Sequence, residues 1–134
     1  MKNSSCRLRL NGILTPRLEY KCIYRRTISC TLTRLKQLNV TDVFQIPGDY
    51  VRNFTQALEH FDGVNTIGAI NELDAAYAAD AYARTRGLGA VSLQYGVSTF
   101  VALNAIAGAY VERSPVVVIS ATPGADARQS ACRV

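Results

Sequence analysis

From residue 31 onward, short β-branched apolar runs alternate with stretches of helical periodicity, and that alternation admits few architectures other than strand-helix units around a parallel sheet. Residues 31–38 place Leu32, Leu35 and Leu38 at helical spacing, with Asn39 as a stop. A first strand over 42–46 ends at the breaker Pro47-Gly48. Asp49 then stands at the N-cap position of a helix reaching His60, with Val51, Phe54 and Leu58 along one stripe. Residues 64–70 read as a second strand, and Asn71 caps a helix running from Glu72 to Arg86 and closed by Gly87. A third strand over 90–93 leads through Gly96 into a small-residue helix over 98–113. The unbroken run Val116-Val117-Val118-Ile119 predicts a fourth strand buried on both faces. The expected fold class is α/β, a parallel sheet flanked by helices.

In an open parallel sheet, ligands bind in the crevice at the carboxyl ends of the strands. Segments 47–49, 71–72, 95–98 and 121–124 each follow a strand, so all four are expected on that edge. The fourth strand runs into a small-residue, polar stretch over 121–134 without helical periodicity, so the domain is expected to be partial at its C-terminal side.

The 134 residues fit one domain. The net charge of +5 suggests a nucleic-acid partner until it is divided by position. Residues 1–30 carry seven basic groups against Glu19 alone, whereas the other 104 carry eight basic and nine acidic. The expected organisation is a basic, poorly ordered leader over 1–30 and a partial domain over 31–134. A targeting presequence or an RNA-binding arm is the alternative reading of the leader, which lacks the apolar core of a secretory signal. A cytoplasmic location is expected, or a mitochondrial one if the leader is a presequence. No apolar run is long enough for a membrane helix. Cys6, Cys22, Cys30 and Cys132 form no C-x-x-C pair, which argues against a metal site or a disulfide framework.

Neither a G-x-G-x-x-G turn nor a Walker phosphate loop is present. Gly96-Val97-Ser98 is half of a nucleophile elbow, but Phe100 fills the second glycine position and the sole histidine, His60, ends a helix elsewhere. Glu72 falls differently. A carboxylate in the first turn of a helix is favoured by the helix dipole, and capping alone accounts for many such residues. Here it opens a helix that is almost all small, with Ala75, Ala76, Ala78, Ala79, Ala81 and Ala83, and 102–109 repeats the pattern. Two such helices side by side make either a subunit interface or tight packing within one chain.

The run Asn71-Glu72-Leu73-Asp74-Ala75-Ala76-Tyr77-Ala78-Ala79-Asp80-Ala81-Tyr82-Ala83-Arg84 resembles a segment of the thiamine-diphosphate-dependent 2-oxo acid decarboxylases, the pyruvate and indolepyruvate decarboxylases above all. Pro47-Gly48-Asp49-Tyr50, Tyr95-Gly96-Val97, Leu103-Asn104, Ile106-Ala107-Gly108-Ala109-Tyr110 and Arg113-Ser114-Pro115-Val116-Val117 keep the same order and spacing. The resemblance covers residues 31–125 and implies the N-terminal, pyrimidine-binding domain of such an enzyme.

By that resemblance Glu72 hydrogen-bonds N1′ of the cofactor's aminopyrimidine, Asp49 handles protons around the bound intermediate, and Gly96, Val97 and Asn104 are cofactor-binding. No metal ligand is expected within the chain. Mg²⁺ and the diphosphate are expected on a domain that this sequence lacks, which makes the chain inactive alone. Implied partners are thiamine diphosphate, a 2-oxo acid, and either a second copy or a complementing diphosphate-binding domain. Asp49 and Asn71 favour a decarboxylase over an acetolactate-synthase-like relative, which usually has glycine and histidine there. Gln45, Ala81, Ser98, Thr99 and Ala105 depart from the family pattern. A second reading is a non-catalytic module that associates with full-length relatives.

Overall fold

Among the described residues every strand is followed or preceded by a helix, so parallel pairing needs no tight hairpin. The computed structural model describes residues 16–123, with side chains from residue 26 onward. Its elements are α1 (Pro16–Gln37), β1 (Asp42–Gln45), α2 (Arg52–Glu59), β2 (Asn65–Gly68), α3 (Glu72–Arg86), β3 (Gly89–Gln94), α4 (Val97–Val101), α5 (Leu103–Val111) and β4 (Val116–Ala121). The four strands form one parallel sheet in the order β2-β1-β3-β4. The expected α/β class is therefore the observed one.

Each face of the sheet carries its own core. On one side Ile28, Leu32 and Leu35 of α1 and Phe54 and Leu58 of α2 pack with Val43 and Ala90. On the other, Ala75, Ala76 and Ala79 of α3 and Ala102 and Ala105 pack with Val91 and Leu93. Successive β3 residues thus serve opposite layers, as the period of two in a strand requires.

The alanines of α3 let it approach the sheet closely. A Cβ built on Gly89 would stand 2.1 Å from the backbone oxygen of Ala79, so only glycine fits at the start of β3. The buried alanines of α3 therefore pack within this chain, on its own sheet and on Ala102 and Ala105.

Four sequence expectations need correction. Residues 16–30, read as leader, continue α1 as helix, and Ile28 joins the core because it extends the Leu32 and Leu35 stripe by one turn. Asp49 is not the N-cap of α2; that position is Val51, which makes no side-chain cap. The expected helix over 98–113 is two helices meeting at Ala102. The strand buried on both faces is β3, whereas β4 is half-buried at the sheet edge among the described residues. Apolar runs report composition, but burial also depends on neighbours. Residues 1–15 and 124–134, including Gly124 and Cys132, lie outside the described residues.

Candidate functional site

The carboxyl ends of β1, β2 and β3 deliver three segments to one edge of the sheet, as parallel strands must. At the start of α3, Asn71 is extended and its Oδ1 accepts the Asp74 amide at 2.9 Å. Its Nδ2 donates to Asp74 Oδ2 at 2.7 Å, so the two side chains close the helix start on each other. At the far end Gly87 adopts a positive φ and stops the helix, as expected. Because Asn71 and Asp74 do the capping, the Glu72 carboxylate is not occupied by it.

Glu72 instead reaches the next segment. Ser98 Oγ donates to Glu72 Oε1 at 2.9 Å, across 26 residues of chain. Ser98 is 9% exposed and Glu72 is half-buried. Gly96, with φ 72° and ψ −129°, turns the chain from β3 into α4 and so aims Ser98 back at α3. A Cβ placed on Gly96 would meet nothing within 4 Å, so the surface beside this peptide is open. Val97, the next residue, is 80% exposed.

The loop after β1 is laced to the loop after β3. The Gln94 side chain lies directly against Gly48, where any Cβ would overlap it. Tyr50 and Tyr95 meet edge to face with ring centroids 5.1 Å apart. Thr99 Oγ1 donates to the Gln94 carbonyl at 2.5 Å and pairs with Ser120 Oγ at 2.9 Å, tying α4 to β3 and β4. Gln45 is buried at the end of β1 and accepts from Thr55 Oγ1 at 3.0 Å, which anchors α2 on the sheet.

The structure brings Glu72, Gly96 and Val97 to the same edge, and Ser98 with them. Asp49 lies on the loop after β1 but pairs with Arg52 on its own segment, its side chain 81% exposed. Asn104 is exposed in the first turn of α5. His60 is exposed at the end of α2, its Nδ1 within 2.7 Å of the Gln56 carbonyl, and takes no part in the site. Ser98 was read as part of an incomplete nucleophile elbow and as a departure from the family pattern; its bond to Glu72 could not be seen in the sequence, because it depends on how two loops meet. Among the described residues no three His, Cys, Asp or Glu side chains cluster as metal ligands. No described helix is long and apolar enough to cross a membrane.

The edge thus combines a half-buried carboxylate, an open glycine peptide and an exposed apolar side chain.

Residues 27–132 match the family model for the thiamine pyrophosphate enzyme, N-terminal TPP binding domain. The chain is 43% identical over 99 residues to an alpha-keto-acid decarboxylase of Mycobacterium leprae, a match covering 74% of this chain and 17% of that protein. It is 50% identical over 92 residues to a pyruvate decarboxylase of Aspergillus parasiticus, covering 67% of this chain and 15% of that protein. The fold resembles the crystal structure of benzoylformate decarboxylase from Polynucleobacter necessarius with a TM-score of 0.70 at 19% identity, over 77% of this chain and 19% of that one. The chain thus spans under a fifth of the length of these relatives.

Proposed function

The chain belongs to the thiamine pyrophosphate enzyme family as its N-terminal cofactor-binding domain, and from that premise we propose that it supplies the pyrimidine half of the cofactor site of a non-oxidative 2-oxo acid decarboxylase. The observation that carries the reading is the Glu72 carboxylate, which is half-buried at the strand ends, free of capping duty and hydrogen-bonded by Ser98. Thiamine diphosphate, when bound, supplies the electron sink for decarboxylation. Glu72 shares a proton with N1′ of the pyrimidine, a partnership that a partly dry setting strengthens. Gly96 leaves room for the ring and Val97 covers its apolar edge. Asn104 assists from the start of α5. Asp49 serves protons at the substrate side, which requires it to leave Arg52. Mg²⁺ and the diphosphate fall to a separate domain of such an enzyme.

Calorimetry of thiamine diphosphate on this chain complemented with a relative's diphosphate-binding domain tests the reading. Binding weakened by Glu72→Gln is expected; equal binding by both forms would refute the role given to Glu72.

The second reading, an interaction module, draws on exposed apolar side chains along α4 and α5: Val97, Phe100, Val101, Leu103, Tyr110 and Val111. Such a surface suits a second copy or a full-length relative. The two readings are compatible, since a domain holding half a cofactor site needs a partner for the other half.

A further inference from the structure

We propose that Ser98 is a positioning residue that fixes the Glu72 carboxylate, committing Oε1 and leaving Oε2 to face the ligand. The proposal rests on the cofactor reading only for the identity of that ligand; the positioning itself rests on geometry.

Ser98 Oγ lies 2.9 Å from Glu72 Oε1. A serine early in a helix often bonds back to a preceding carbonyl instead. Here the carbonyl four residues back, on Gln94, is taken by Thr99 Oγ1. The Ser98 hydroxyl bonds away from its own backbone, to Glu72 on α3. At 9% exposure it would lose its partner and find little water to replace it if Glu72 turned away.

The serine itself has little freedom. Gly96 sets the entry into α4, and Thr99, the next residue, is pinned to β3 and β4 through Gln94 and Ser120. Glutamate, by contrast, is among the side chains that lose most rotamer freedom on ordering. A fixed hydroxyl bonded to one oxygen removes that freedom before a ligand arrives. A carboxylate has two oxygens and about four acceptor sites, so Oε2 stays available.

The test uses the full 134-residue chain, isotopically labelled, with Ser98, Ser98→Ala, Ser98→Thr and Ser98→Gly forms compared by NMR. Side-chain coupling constants of Glu72 should report one rotamer in the parent and in Ser98→Thr, and averaging in Ser98→Ala and Ser98→Gly. Titration with 4-amino-5-hydroxymethyl-2-methylpyrimidine should then show roughly tenfold weaker binding in the two variants without a hydroxyl, restored in Ser98→Thr. A single Glu72 rotamer retained in both Ser98→Ala and Ser98→Gly would overturn the proposal. The expected rotamer change with no pyrimidine binding by any form, alone or complemented by a relative's diphosphate-binding domain, would uphold Ser98 as a positioning residue and remove the cofactor reading instead.

Discussion

Asn71 and Asp74 bond to each other twice at the start of α3, through Asn71 Oδ1 with the Asp74 amide and Asn71 Nδ2 with the Asp74 carboxylate. Glu72, one of the two residues between them, is thereby left out of the cap and reaches Ser98 instead. Replacing an N-cap asparagine by alanine costs about 1 kcal/mol. Asn71→Ala should therefore lower unfolding stability by that amount in urea denaturation, while Asn71→Ser should retain most of it. Equal stability of Asn71→Ala and the parent would contradict the capping role.

Two glycines should respond differently to the same change. Gly89→Ala places a methyl against a backbone oxygen, Ala79 O, that α3 holds in place. Overpacking of this kind costs about 1–3 kcal/mol, and thermal or urea unfolding should show it. Gly48→Ala meets the Gln94 side chain from Cγ to Nε2, a flexible chain that can turn aside where a backbone oxygen cannot, so it should cost less.

At the opposite end of the sheet, Asp42 is held below the ordinary carboxylate range by the Thr41 hydroxyl and the Asn65 amide, at 2.7 and 3.0 Å. A lowered carboxylate binds fewer protons folded than unfolded, so its contribution is full above the unfolded value of about 4 and is lost as pH falls through the lower folded value. Asp42→Asn should thus be less stable than the parent at pH 7, and the gap should close below about pH 4. A gap that widens toward acid in urea titrations would contradict this sign.

The apolar side chains along α4 and α5, with Tyr110 84% and Val111 75% exposed, should make the chain associate with itself or with a full-length relative. Sedimentation should show that association weakened by a Tyr110→Asp, Val111→Asp pair at unchanged helix content. A folded parent chain that stays monomeric at all concentrations and ignores such a relative would count against the oligomer reading.

The sheet was legible because strand and helix periods alternate cleanly, and the edge that carries Glu72 followed from parallel strand direction alone. Asn71 and Gly87 were legible as caps because capping chemistry is local. The α1 start was not: basic residues suggested a leader, although Ile28, Leu32 and Leu35 already share one helical stripe. Asp49 was misplaced because an acidic residue after a turn looks like a cap whether or not the helix begins there. The break at Ala102 carries no glycine or proline to announce it. Ser98 and Glu72 are 26 residues apart, and only packing of α4 against α3 joins them.

Whether Glu72 meets N1′ of the aminopyrimidine can be read by nitrogen NMR of thiamine diphosphate labelled at N1′. In the chain complemented by a relative's diphosphate-binding domain, the N1′ resonance should move from its free position, and Glu72→Gln should return it most of the way. An N1′ resonance displaced equally in both forms would contradict the claim.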